Sequence, residues 1–235
     1  MAIVVLTRHG RSGANAAGLL AGRSRGVHLD AVGRGQADMA AQRLAGLELR
    51  EIVTSPLARC RETATALARQ QVRRVRPRVD KRLVECGYGD WTGQSLSSLA
   101  EDPLWKVVQH HPSAMVFPGG ESMIDMQRRA VSAIRDRDAT VEAKHGPDGI
   151  WAAVSHADVI KAILAEALGM HLDMFQRIVV DPGSISVIRL TAVRPFVLHQ
   201  NDHGSDLAYL AVKPKHRRTA SNDATVGGGA GPGSA

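Results

Sequence analysis

The apolar positions of this chain begin as a run. Residues 2–6, Ala-Ile-Val-Val-Leu, are rich in β-branched side chains and too short for a helix that stands alone, so they read as a buried strand. The period then changes. Ala37, Ala40, Ala41 and Leu44 recur at helical spacing within 33–46, a short apolar stretch at 51–54 reads as a strand, and 59–69 as a helix. Residues 72–79 predict a further strand, at a sheet edge because Pro77 removes a ladder donor. A long helix is expected over 122–144, a strand over 150–156 that ends on histidine, and a helix over 158–168. Late segments at 178–181, 184–190 and 195–199 read as strands. Strands alternating with helices of this length predict βαβ units in an α/β fold. The expected architecture is a three-layer sandwich, a mostly parallel sheet with helices on both faces.

The character of the chain changes near Pro214. The segment KPKHRRTASNDATVGGGAGPGSA holds almost nothing large and apolar, so burial does not offset its ordering entropy. The predicted organisation is one catalytic domain over 1–213 and a flexible tail over 214–235. Nothing in the tail resembles a pocket group, so it is expected to be dispensable for chemistry. Its glycines do not form a phosphate loop, since no Lys-Ser/Thr follows and no strand feeds them. GYGDWTG (87–93) likewise misses the dinucleotide-binding spacing.

Composition narrows the class. Of 235 residues, 44% are apolar, ordinary for a globular domain, yet no apolar run approaches a membrane span. The N-terminus lacks a basic segment followed by an apolar stretch, so the chain reads as cytoplasmic with no membrane partner. Cys60 and Cys86 share no CxxC spacing and read as reduced, partly buried thiols. The net charge of +7 fits nucleic acid, an acidic membrane surface or small anionic substrates. Aromatic residues at 3% leave few platforms for stacking bases, which disfavours nucleic acid. Two basic clusters, Lys213, Lys215, Arg217 and Arg218, and Arg69, Arg73, Arg74, Arg76 and Arg78, read as solvated surface.

The chemistry gathers at three predicted strand ends. LTRHGRSGAN (6–15) places Arg8, His9 and Gly10 where the first strand stops, and ligands of open α/β sheets sit beyond such carboxyl ends. TSPLARCRETA (54–64) puts Arg59 in the first turns of a helix, where free N–H groups favour an anion. VSHADVIKAIL (154–164) runs a strand into His156. Adjacent parallel strands would collect these groups into a compact cationic pocket suited to one phosphate, with no metal-ligand spacing and no cofactor expected. His110 and His111 before Pro112 read as a surface loop.

These blocks, with GRGQA (33–37), RLVECGYGDWTGQ (82–94) and PGGES (118–122) followed by Asp125 and Arg129, resemble the histidine phosphatase superfamily, the phosphoglycerate-mutase-like proteins. The resemblance covers nearly all of 1–200, and SHADVIK with FQRIVVDPGSISVIR further resembles an actinobacterial branch of it. It implies roles residue by residue. His9 would be the nucleophile that forms a phosphohistidine, Arg8, Arg59 and His156 would clamp phosphoryl oxygens, and Glu85 would protonate the leaving group. Asn15 is either a further phosphate contact or a turn cap, and Glu121 and Ser122 either cap the long helix or bind. Two positions depart from the pattern. Arg11 stands where many relatives carry an acid, and Ala157 with Asp158 where many carry two glycines. Arg11 is expected at the pocket mouth, with Arg23 counted beside it as a substrate contact; Asp158 is read as favouring the helix N-terminus.

The expected function is metal-independent hydrolysis of small anionic phosphomonoesters through a phosphohistidine; a homodimer is compatible with this. The alternatives are a cofactor-dependent phosphoglycerate mutase using the same pocket, and a non-catalytic phospholigand-binding module. Intact His9, Arg8, Arg59, Glu85 and His156 argue against the module. Superfamily mutases carry a long basic insertion before the Gly-Glu-Ser segment. Here 91–119 is short, with Lys106, His110 and His111 its only basic groups, so phosphate release should dominate transfer.

Overall fold

The computed structural model describes residues 2–204 and 224–231. The boundary near 213, the cluster Lys213, Lys215, Arg217 and Arg218, and the tail over 214–223 and 232–235 lie outside the described residues. In chain order the elements are β1 (Ile3–Arg8), α1 (Gly13–Ala16), α2 (Ala31–Leu44), β2 (Leu49–Thr54), α3 (Ala58–Arg69), β3 (Arg78–Val79), α4 (Leu96–Leu99), α5 (Pro103–His110), α6 (Met123–His145), β4 (Ile150–Ser155), α7 (Ala157–Ala167), β5 (Ile185–Arg189) and β6 (Phe196–Asp202). The strand order is β3-β2-β4-β1-β5-β6. The first four run parallel, while β5 pairs antiparallel with β1, and β6 with β5.

Alternation along each strand divides the core into two layers. Val5, Ile52, Ala152 and Val154 face α2 and α3, meeting Ala37, Ala41, Ala64 and Leu67. Val4, Leu6, Val53, Trp151 and Ala153 face the other way, toward Ala130 and Ile134 of α6 and Ile160 and Leu164 of α7. Continuously apolar strands thus acquire a helix on each side, which is the three-layer sandwich. Each fully buried aliphatic side chain contributes about 1.5–3 kcal/mol.

Two expected strands do not form as such. Of 72–79 only Arg78 and Val79 pair with β2, at the sheet edge. Pro77 lacks an amide donor, and Val72 is wholly exposed, so nothing covers an earlier start. The segment 178–181 alternates buried Ile178 and Val180 with exposed Val179, as a strand would. However, β1 is already flanked by β4 and β5, so no edge is open to it. The helix α5, conversely, was signalled by Asp102 as N-cap with Pro103 in the first turn.

Candidate active site

β2, β4 and β1 are neighbours, so their carboxyl ends share one rim. The register pairs Arg8 with Ser155 and Thr54 with Val154. Two backbone bonds continue that register beyond the strands, from His9 N to Ser155 O at 3.0 Å and from Ser55 N to Val154 O at 2.9 Å. Here Gly10 is a packing requirement. A Cβ on it would collide with the Gly33 carbonyl, and one on Gly33 with the Arg11 backbone, so the start of α2 closes directly on the end of β1. α7 begins immediately after β4, with His156 in the N-cap position but making no cap bond, which leaves its ring for the rim.

The two imidazoles stand edge to face, with centroids 5.2 Å apart. Nδ1 of His9 is 2.7 Å from the Gly10 carbonyl oxygen. A carbonyl only accepts, so Nδ1 carries the hydrogen and Nε2 keeps its lone pair. Arg59 Nε donates to that Nε2 at 3.2 Å. Its Nη2 donates to the Gly22 carbonyl at 2.8 Å and lies 3.3 Å from His156 Nδ1. His156 Nε2 sits 2.7 Å from Ser55 Oγ. Burial first, then the positive charges of Arg59 and Arg8, hold the His9 ring well below the ordinary imidazole range. Burial and Arg59 do the same for His156. Both rings are therefore neutral at physiological pH.

Two guanidiniums lie among these groups, Arg8 and Arg59, both almost wholly buried. Arg59 Nη1 and Arg8 Nε have no hydrogen-bond partner among the described residues. Buried donors of this kind are costly unless an acceptor arrives, and a charged acceptor suits them best.

The carboxyl of Glu85 completes the group. Its Oε1 accepts from Cys86 N at 2.9 Å, and its Oε2 lies 3.7 Å from His156 Nδ1. Burial raises its pKa to about 7, the Asp158 carboxylate adds to the rise, and Arg59 and Arg8 oppose it. The segment carrying Glu85 is tightly held. Arg129 donates to the carbonyls of Arg82, Val84 and Glu85, and Arg23 Nε also donates to Glu85 O, at 2.8 Å. The Glu121 carboxylate ties Arg23, Arg129 and the Gly87 amide together.

The structure brings together Arg8, His9, Arg59, Glu85 and His156. Asn15 also lines the cavity, but its Oδ1 accepts from Ser12 N and Oγ, so it closes a capping box on α1 as well. Two expected contacts fall elsewhere. Arg11 is ion-paired through Nε to Asp30, the N-cap of α2, at 2.7 Å, and does not line the cavity. Arg23 is 42% exposed and serves as a strut between Glu85 O and Glu121. Ser122 caps α6, whereas Glu121 is part of that strut. Asp158 does more than favour a helix start. It is fully buried, accepts from Tyr88 Oη at 2.7 Å and lies 3.6 Å from Lys161 Nζ. Its departure from the expected glycine was the available signal.

The tail expectation also needs correction. Residues 224–231 are not free: Val226, Gly227 and Gly229 line the cavity beside His9, Arg59 and Glu85. Val226 supplies apolar burial, and the polar groups this segment offers are backbone carbonyls, those of Gly228 and Gly229, rather than side chains.

A family model described as "Histidine phosphatase superfamily (branch 1)" matches residues 4–203. The glucosyl-3-phosphoglycerate phosphatase of Mycolicibacterium vanbaalenii is 31% identical over 173 residues, covering 72% of this chain and 76% of that one. The 2,3-bisphosphoglycerate-dependent phosphoglycerate mutase of Thermoplasma acidophilum is 27% identical over 190 residues, 80% of this chain and 87% of the other. Among solved structures, YhfR of Bacillus stearothermophilus superposes with a TM-score of 0.77 at 26% identity, covering 86% of this chain and 98% of its own.

Proposed function

This chain belongs to the histidine phosphatase superfamily, branch 1, and from that premise we propose that it hydrolyses small anionic phosphomonoesters through a phosphohistidine on His9. One observation carries the reading: Nε2 of His9, left unprotonated by the Nδ1 contact with the Gly10 carbonyl, accepts from Arg59 Nε, and Arg59 Nη1 beside it has no acceptor among the described residues.

The chemistry follows from the atoms. His9 Nε2 attacks phosphorus in line, and the bond from phosphorus to the leaving oxygen breaks. That oxygen takes the proton of Glu85, which burial holds on the carboxyl near neutral pH. Charge on the phosphoryl oxygens is met by Arg59, Arg8 and His156, and positive charge on the new phosphoimidazolium by the Gly10 carbonyl at Nδ1. Water then attacks phosphorus and passes its proton to the Glu85 carboxylate, which returns both residues to their starting forms. Splitting the displacement in two replaces one difficult step with two easier ones.

Release should exceed transfer to a second hydroxyl. Of residues 91–119 only Leu96 lines the cavity, while Lys106, His110 and His111 are exposed and none of them lines it. The substrate class is a small phosphorylated metabolite, a reading supported by the phosphatase and mutase activities for which the relatives are named. Among the described residues no helix is long and apolar enough to cross a membrane. We place the activity in the cytoplasm, consistent with two free, buried thiols. The test is a panel of phosphometabolites scored for both phosphate release and phosphate migration. Release that disappears in His9→Ala supports the reading. Dominant migration, dependent on bisphosphoglycerate priming, would make the protein a mutase.

A further inference from the structure

Arg8 is the one proposed phosphate clamp whose terminal donors are already occupied. Its Nη1 donates to the carbonyls of Gly228 at 2.6 Å and Val180 at 2.8 Å. Its Nη2 donates to the carbonyls of Gly229 at 2.6 Å and Gly227 at 3.4 Å. Carbonyl oxygens at both prongs of a guanidinium reproduce the fork that two phosphate oxygens would occupy. The segment is fastened on either side of this contact. Gly227 N donates to Asp158 Oδ2 at 3.0 Å, Gln109 Nε2 donates to the Ala224 carbonyl at 2.6 Å, and Val226 is buried in the core.

Only glycine can make this approach. Gly227, Gly228 and Gly229 have φ of 71°, 75° and 51°, a left-handed run that other residues rarely adopt. A Cβ on Gly228 would run into the Ala157 Cβ and come within 2.9 Å of Arg8 Nη1. The cavity left beside His9 is narrow, and Gly227 and Gly229 form part of its lining.

We propose that Gly227–Gly229 is an intramolecular plug, which mimics phosphate oxygens on Arg8 and must be displaced before a phosphomonoester can bind. The proposal rests on the phosphatase reading for its consequence but not for its geometry. Neutral carbonyls are weaker acceptors than a phosphate dianion, so substrate competes successfully at a cost in apparent affinity. The dissociation constant rises by the reciprocal of the fraction of open molecules. The chemical step is untouched once the plug has left.

The experiment compares the full chain, a chain ending at Asp223, and full-length Gly228→Ala. Inorganic phosphate and orthovanadate are titrated calorimetrically, p-nitrophenyl phosphate turnover is followed, and hydrogen exchange is read at the amides of 226–229. Both altered proteins should bind phosphate and vanadate about tenfold more tightly or better, with KM lowered in step and kcat changed less than twofold. In the full chain, vanadate should strip protection from 226–229. Equal anion affinity in all three proteins alongside normal turnover would overturn the plug and leave the phosphatase reading intact. Added protection at 226–229 on vanadate binding would likewise overturn it, making the segment a pocket wall. Tighter anion binding in both altered proteins, with no turnover in any, would support the plug and remove the phosphatase.

Discussion

Glu85→Gln should stabilise the folded chain at neutral and alkaline pH even as it slows catalysis. The Glu85 side chain is buried, and its carboxyl ionises near pH 7 in place of the ordinary 4.5. Between these values the folded chain holds a proton that the unfolded chain has released, so stability falls as pH rises. The slope is about 1.4 kcal/mol per pH unit for one proton, which amounts to about 3 kcal/mol across the window. The contribution is whole below about pH 4.5 and lost above about pH 7. Glutamine has no proton to release. The stability difference between variant and parent should therefore grow from pH 4.5 to 8 by about 3 kcal/mol in favour of the variant. His9 and His156 act in the opposite sense, since the unfolded chain protonates them as pH falls through 6.5 while the folded chain keeps them neutral. Both are present in either protein, so His9 cancels in the difference and His156, 3.7 Å from the substituted side chain, cancels to first order. Urea unfolding at half-unit pH steps, followed by tryptophan fluorescence, measures it. A difference that stays flat with pH, or grows toward acid, would refute the buried, protonated carboxyl.

Turnover of alkyl phosphates should fall by up to about tenfold per pH unit above pH 7 as Glu85 loses its proton, while aryl phosphates hold their rate; equal profiles would remove it as the acid. Arg59→Lys should lower kcat/KM by about 10²–10³ with circular dichroism unchanged, because an ammonium cannot contact His9, Gly22 and a phosphoryl oxygen at once; a loss below fivefold would count against the clamp. Arg11→Ala should leave the preference between mono- and dianionic substrates unchanged and cost at most about 1 kcal/mol of stability, since Arg11 is paired with Asp30; an altered preference would place it at the substrate.

The sheet and the strand-end residues were legible because their signals are local. A β-branched run that stops on Arg8 and His9, or on His156, names both the strand and the rim. The parallel neighbours β2, β4 and β1 then had to bring Arg59, His156 and His9 together. What escaped the sequence was long-range pairing. Arg11 looks like a pocket cation until Asp30, nineteen positions on, claims it. Arg23 and Glu121 are side chains with charge to spare until they are seen fixing the backbone at Glu85 and Gly87. Asp158 reads as a helix-start acid, yet it reaches Tyr88 and the Gly227 amide, seventy and sixty-nine positions away. The glycine run was the hardest to read. Its donors and acceptors are all backbone, and no side-chain pattern announces a carbonyl that occupies a phosphate site.

The central claim is a covalent bond between phosphorus and His9 Nε2. Rapid acid-free quenching of the protein with ³²P-labelled monoester, followed by peptide mapping, tests it directly. The account predicts acid-labile, base-stable label on the peptide carrying His9, formed within one turnover and absent from His9→Ala. Full turnover with no label, or label on a residue other than His9, would contradict it.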